Sequence, residues 1–370
     1  MAISRTQLEQ QADKLEALLR QHKVSGRIQG GVVTHRMIQF DLTVDVSHKV
    51  RQIQSLAEEM ALALNVQTVR IYRQGGRFCV EIPLERTRLL RLWPWCRDVP
   101  NVPPCTTLLG ADASGSPLLL KLNAPDVVHV LLAGATGSGK TALARALLAS
   151  LAYYNPVSAL HLILIDPKRR GFAPLAQLPH AAHGVIDSTE GAIHHLHNLV
   201  AEMERRDQTG INQPTLIVAI DELADLMQTG AQKVEALLTR LAQRGRQAGI
   251  HLVACTQKPS ASLIGSAIKA NFPVRLVGAV ASRDEARYAA GISDSGAEKL
   301  MGRGDFLLIK QGESIRFQAA WLGAKELDQI VQATRNGSGS RSQAEGAGIK
   351  RGIKADRASI GSASLYPTIL

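Results

Sequence analysis

The chain is poor in cysteine, and none of it is at metal spacing. Cys79, Cys96, Cys105 and Cys255 are all it has. With no C-x-x-C pair, neither a zinc site nor a disulfide framework is expected, and reduced buried thiols of a cytoplasmic protein fit that usage. No apolar run approaches about 18 residues, so no membrane span is expected. The opening MAISRTQLEQQADKLEALLR has no apolar core of the kind a signal peptide needs. No repeat of 20–50 residues is visible. Acids are in deficit: 32 Asp and Glu stand against 43 Lys and Arg, for a formal charge of +11. That excess suits a polyanion, but charge alone does not separate DNA, RNA and anionic lipid from a basic surface that only meets water.

What is present is enough for a core. Hydrophobic residues make up 45% of 370 positions, a length that suggests about two domains. The organising stretch is VVHVLLAGATGSGKT, 127–141. An apolar run predicts a buried strand, a glycine-rich turn follows, and a helix begins at its end. Gly134, Ala135, Thr136, Gly137, Ser138, Gly139, Lys140 and Thr141 spell G-x-x-x-x-G-K-T, a P-loop. Its glycines let successive backbone N–H groups face one anion, at the positive end of the next helix. Lys140 then reaches the β- and γ-phosphates of ATP, and the Thr141 hydroxyl ligates Mg²⁺.

Two further strand ends carry polar chemistry. Leu216-Ile217-Val218-Ala219-Ile220 runs into Asp221 and Glu222. Beside a P-loop, the first acid holds the Mg²⁺ shell and the second orients or deprotonates the attacking water. Asp225, one turn on, reads as solvated or capping. The run from Ile250 to Cys255 ends in Thr256-Gln257-Lys258-Pro259. Gln257 is read as a sensor of the γ-phosphate, with a plain turn before Pro259 as the alternative. Arg240, Arg244 and Arg246 lie near a helix end. There they either complement the helix dipole or include an arginine finger for a neighbouring subunit. His194, His195 and His197 have no obvious carboxylate or thiol to complete a metal set, so no metal is assigned to them.

Along the chain, residues 4–22 predict an amphipathic helix with Leu8, Ala12, Leu15 and Leu19 on one face. Alternating strands and a helix from about Val50 follow, a small α+β region ending near Pro83 in which nothing looks catalytic. Residues 84–117, with Pro94, Pro100, Pro103, Pro104 and Pro117, read as linker and turns. Trp93 and Trp95 there read as packing against the next domain rather than stacking on bases. From Leu118 strands alternate with helices, which implies a mostly parallel sheet. The expected division is an N-terminal helix (1–25), a small α+β domain with linker (26–117), an α/β P-loop domain (118–330) and a basic Gly/Ser-rich disordered tail (331–370). The tail either holds DNA loosely by charge or does nothing of the kind.

In the order HVLLAGATGSGKT, ILIDPK, VAIDELADLM, KVEALLTRLAQRGRQAGIHLVACTQKPS, IKANFPVRL and GAEKLMGRGDFLL, the chain resembles the motor of the FtsK/SpoIIIE double-stranded DNA translocases. Upstream, residues 30–71 resemble that family's smaller α domain. The resemblance implies a RecA-like α/β fold and a homo-oligomer, a hexameric ring around duplex DNA with ATP at subunit interfaces. Lys140 and Thr141 match its P-loop pair, Asp221 and Glu222 its Walker B acids, Gln257 its sensor, and Arg246 the arginine finger. Lys258 and Lys269 are candidate DNA contacts of the salt-sensitive, sequence-independent kind. The family's chromosome members carry N-terminal membrane spans and a terminal winged helix, neither of which is read here. The expectation is therefore a stripped motor of a mobile element, plasmid or phage. The alternatives are a protein-secretion ATPase of the same broad family, or an ATP-gated DNA-binding scaffold.

Overall fold

In the computed structural model the described residues are 5–33, 37–45, 50–66, 68–74, 76–84, 89–99, 101–259, 271–337 and 368–370. The chain divides into two units after Leu89. In the first, α1 (Arg5–Gln21) buries Leu15 and Leu19, with Leu8 and Ala12 packed alongside, the stripe its spacing predicts. Strands β1 (Gly26–Val33), β2 (Met37–Val44), β3 (Arg70–Gln74) and β4 (Arg77–Pro83) form an antiparallel sheet of order β1-β2-β4-β3. Ile38, Phe40 and Leu42 alternate inward to the same core as α1. The single helix expected from Val50 is two, α2 (Val50–Gln54) and α3 (Ala57–Leu64). The helix at 5–21 shares this core and does not stand apart as a 1–25 domain.

The second unit starts earlier than the sequence suggested. Residues read as linker hold α4 (Leu92–Asp98) and β5 (Thr106–Asp112). Pro94 sits in the first turn of α4, where a missing N–H costs no helical bond. Strand β5 is buried at six successive residues, so it has no alternation to betray it. The boundary at 117/118 therefore moves to 89/90.

An eleven-stranded sheet forms the second unit. Added to β5 are β6 (Pro117–Lys121), β7 (Val130–Ala133), β8 (Leu160–Ile165), β9 (Val185–Ile186), β10 (Thr215–Ile220), β11 (Ile250–Thr256), β12 (Val274–Val277), β13 (Asp305–Lys310), β14 (Glu313–Ala319) and β15 (Thr368–Ile369). Their order is β15-β6-β5-β14-β13-β12-β7-β11-β10-β8-β9. From β12 to β9 every neighbour is parallel; from β12 back to β6 every neighbour is antiparallel. Helix α5 (Lys140–Tyr154) covers one face, and α6 (Thr189–Thr209) and α7 (Leu223–Arg244) cover the other. Both faces are buried: Ile217 and Ala219 face the first core, while Leu216, Val218 and Ile220 face the second. That is why these strands read as continuous apolar runs. A short helix α8 (Arg283–Ala290) and a last helix α9 (Ala324–Arg335) complete the unit. Helix α9 buries Leu327, Ile330 and Val331, so the fold continues past 331, where the tail was expected to begin. Most of the expected tail, and the expected helix at 262–270, lie outside the described residues.

Candidate nucleotide site

Strand β11 lies between β7 and β10. This order brings the P-loop, the acid pair and Gln257 to one carboxyl edge, where open α/β sheets bind ligands. The loop leaves β7 with Gly134 N–H donating to the Thr256 carbonyl at 3.2 Å and Ala135 N–H to that of Ala279 at 2.8 Å. Gly139, at φ 97°, caps α5. A Cβ there would sit 2.8 Å from the Gly304 nitrogen, so both torsion and space demand glycine. The turn at 302–304 backs the loop. Arg303 N–H donates to the Gly137 carbonyl at 2.9 Å and Gly304 N–H to that of Ser138 at 2.8 Å.

Lys140 is 4% exposed. Its Nζ donates to the Asp221 carbonyl at 3.1 Å and to Glu222 Oε2 at 3.4 Å. The two Glu222 oxygens also accept from Gln257 N–H, each at 3.1 Å. Gln257 Oε1 in turn accepts from Thr136 Oγ1 at 3.1 Å. Lys140, Glu222, Gln257 and Thr136 thus form one closed network, and Thr141 sits in the first turn of α5 beside it. Asp221 is buried, and its Oδ1 has no hydrogen-bond partner among the described residues; the same is true of Ser138 Oγ. Burial pushes the Asp221 carboxyl up, Lys140 opposes that, and Asp166 and Glu222 add to it. A cation beside Asp221 would reverse this balance.

Sequence reasoning did not assign the loop after β8. Asp166 Oδ2 accepts from Gly171 N–H at 2.8 Å and Phe172 N–H at 2.9 Å. This curls residues 166–172 over Asp221, where a Cβ at Gly171 would lie 2.2 Å from Asp221 Oδ1. Arg145, on α5, holds the same loop through the Gly171 and Arg170 carbonyls. Asp225, read as solvated or capping, pairs with Lys168 of this loop. The D-P-K-R-R-G wording was legible, but its role lies in backbone N–H groups that no side-chain pattern reports. Lys258 is exposed just past β11 on the same edge; Lys269 lies outside the described residues. The His183, His194 and His195 rings pack edge to face, and no cluster of three or more His, Cys, Asp or Glu placed to hold a metal is found among the described residues.

Arg246 is at the other end. It precedes the first residue of β11 by four positions, and that strand spans seven residues, about 20 Å at ~3.3 Å per residue. It therefore lies at the amino edge, beyond reach of its own P-loop. Of the three candidate arginines, Arg240 pairs with Glu204 and Arg244 with Asp207. Arg246 is exposed and forms no ion pair among the described residues, although its charge helps lower Asp126 behind the stronger hydrogen bond from Lys310.

The family profiles match in the same order as these elements. The FtsK/SpoIIIE family profile matches residues 99–212 and 209–261, and the FtsK alpha domain profile matches residues 1–84. The chain belongs to the FtsK/SpoIIIE family. Within that family it is 33% identical over 362 residues to DNA translocase SftA of Bacillus subtilis (strain 168), covering 89% of this chain and 37% of that protein. It is 32% identical over 366 residues to DNA translocase FtsK of Helicobacter pylori (strain J99), covering 89% and 42%. The chain thus spans less than half the length of these FtsK/SpoIIIE relatives. Among solved structures it is similar to the conjugation coupling protein TcpA of pCW3, a monomer form with ATPγS, at TM-score 0.61 and 20% identity, covering 87% of this chain and 99% of that one. It is also similar to the cytoplasmic domain of the Thermomonospora curvata type VII secretion ATPase EccC, at TM-score 0.54 and 23% identity, covering 63% and 32%. Both share the P-loop ATPase fold. No described helix is long and apolar enough to cross a membrane.

Proposed function

We propose that this chain is an ATP-driven motor that moves along double-stranded DNA, acting as a ring of identical subunits in the cytoplasm. The observation that carries the reading is the closed network of Lys140, Glu222, Gln257 and Thr136 beside a buried, half-satisfied Asp221. The phosphates of ATP offer Lys140 better partners than the Asp221 carbonyl and the Glu222 carboxylate. Lys140 then leaves Glu222, and the freed carboxylate orients the attacking water. Gln257 contacts both Glu222 and the P-loop, so it reports whether the γ-phosphate is there. The orphaned Asp221 oxygen fits a divalent cation: Thr141 and Asp221 would hold Mg²⁺, which would neutralise charge on the transferring phosphoryl group.

Arg246 supports the ring. It can serve a nucleotide only on another copy, as a guanidinium offered in trans. The net charge of +11 and exposed Lys258 suit contacts to a phosphate backbone, which hold without reading sequence. The names of the relatives, DNA translocases, point to the same cargo, and a conjugation protein of the same fold suits transfer of a mobile element. The test is ATP turnover by the purified chain with and without linear duplex DNA at low salt. Strong stimulation that salt suppresses is expected, together with closed rings on DNA in electron micrographs. Turnover indifferent to duplex DNA would remove the DNA motor and leave the secretion or scaffold readings.

A further inference from the structure

The turn that carries Arg246 is held from two sides by buried side chains with no place at the nucleotide site. Arg206, on α6, is 3% exposed. Its Nε donates to Glu202 Oε1 at 2.7 Å, and its Nη1 donates to the Pro214 carbonyl at 2.9 Å and the Ala248 carbonyl at 2.8 Å. His129, just before β7, works from the other side. Its Nδ1 accepts from Leu252 N–H at 3.0 Å, which places the proton on Nε2, and Nε2–H donates to the Ala242 carbonyl at 3.0 Å.

Positions 242 and 248 bracket Arg246, so each flank of its turn is pinned. The segment between is tight as well. Gly249 N–H closes on the Arg246 carbonyl at 3.1 Å, and Ile250 N–H on that of Gly245 at 2.8 Å. Gly249 takes φ 70°, and a Cβ there would lie 2.1 Å from the Asn212 carbonyl oxygen. Stability alone does not call for such a device, because apolar side chains usually stabilise a core at least as well as a buried ion pair. A planar guanidinium fork and a fixed imidazole tautomer supply directed bonds, and these set position.

We infer that Arg206 and His129 are positioning residues for Arg246. Together they fix the base from which its guanidinium reaches a neighbouring copy's nucleotide. The inference rests on the trans role of Arg246 given above. The test uses the full chain with duplex DNA, reading kcat and the affinity of each variant's own P-loop for a fluorescent ATP analogue. Arg206→Lys keeps the charge and loses the fork; His129→Gln keeps a donor for Ala242 and loses the acceptor for Leu252. Each is expected to lower kcat by about 10- to 100-fold, the scale of an ångström-sized misplacement. Nucleotide affinity should stay within about twofold, since the lost contact belongs to the transition state on another copy.

Combining Arg206→Lys with Arg246→Ala should be no slower than Arg246→Ala alone. Mixing gives a readout that general destabilisation would not move. Chains with Lys140→Ala, which still present Arg246, should restore turnover to Arg246→Ala chains. Chains with Lys140→Ala and Arg206→Lys together should restore much less. Unchanged kcat in folded Arg206→Lys, losses that multiply with Arg246→Ala, or equal restoration by both donors would overturn the positioning role. Normal turnover by Arg246→Ala itself would overturn the trans reading and the positioning role with it. If Arg206→Lys does not fold, His129→Gln decides by the same criteria.

Discussion

The two edges of the parallel half-sheet are built on opposite plans. At the carboxyl edge polar groups are crowded and partly unsatisfied: Asp221 Oδ1 and Ser138 Oγ have no partner among the described residues, and Lys140 rests on groups of the site itself. At the amino edge the buried side chains around the Arg246 turn are tied to carbonyls, although His180 Nδ1, beside the start of β8, has no partner among the described residues. Arg206, His129 and His251 each reach backbone carbonyls, and of the exposed arginines Arg240 and Arg244 are paired while Arg246 forms no ion pair among the described residues. An edge with orphaned oxygens and a sequestered cation is prepared to receive something charged. An edge whose buried guanidinium and imidazoles are tied to backbone carbonyls is prepared to hold still what it presents. In a ring of such subunits, each nucleotide would lie between one edge of each kind.

The sharpest break of this comparison is Arg246→Ala. It should lower DNA-stimulated turnover by about 10³-fold or more while leaving ATP binding in place, measured by turnover alongside analogue binding. Glu222→Gln should cost about 10²- to 10⁴-fold and trap ATP, because Lys140 and the P-loop amides remain; a filter-binding assay would show retained nucleotide. Gly249→Ala places a Cβ against the Asn212 carbonyl in left-handed backbone and should destabilise by about 2 kcal/mol or more, seen in chemical denaturation.

The edges also titrate with opposite signs. Burial, with a lesser contribution from His251, holds His129 down at about 3 from an ordinary 6.5. In that window the unfolded chain binds the extra proton, so stability rises with pH between the two values and is lost on acidification. His129→Gln should therefore show a shallower fall in Tm between pH 6.5 and 4.5 than the parent. Asp221 goes the other way. Its raised carboxyl is protonated more readily in the folded chain, so its contribution declines as pH climbs above the ordinary carboxylate range. Asp221→Asn should raise Tm near neutral pH without nucleotide, by an amount on the order of 1–3 °C, and should abolish Mg²⁺-dependent turnover.

The carboxyl edge was the legible one. Its residues are strand-end side chains in short motifs, and a P-loop fixes spacing so tightly that Gly134 to Thr141 could be read directly. The parallel core strands were legible because burial on both faces makes them continuous apolar runs. Strand β5 has the same character, but Pro100, Pro103 and Pro104 before it argued for a linker. The amino edge was nearly silent. Arg206 sits in a run of charged residues that any exposed helix carries, and His129 is one histidine in an apolar run. Both act on carbonyls distant in sequence, and no local pattern encodes such a partner. The 166–172 loop was hidden for the same reason, since Asp166 gathers backbone amides.

The small turn behind the phosphate loop has a mechanical consequence. Arg303 and Gly304 grip the carbonyls of Gly137 and Ser138, and β13 begins at the next residue. In the proposed motor, a shift of the phosphate seat as a nucleotide arrives or departs would pull on that strand's end. The pull would then pass into the antiparallel strands through the β13–β14 ladder. Fuel chemistry at one border of the sheet would thereby be geared to the half away from the phosphate loop, and a stroke begun at a few amides would be delivered across the breadth of the subunit.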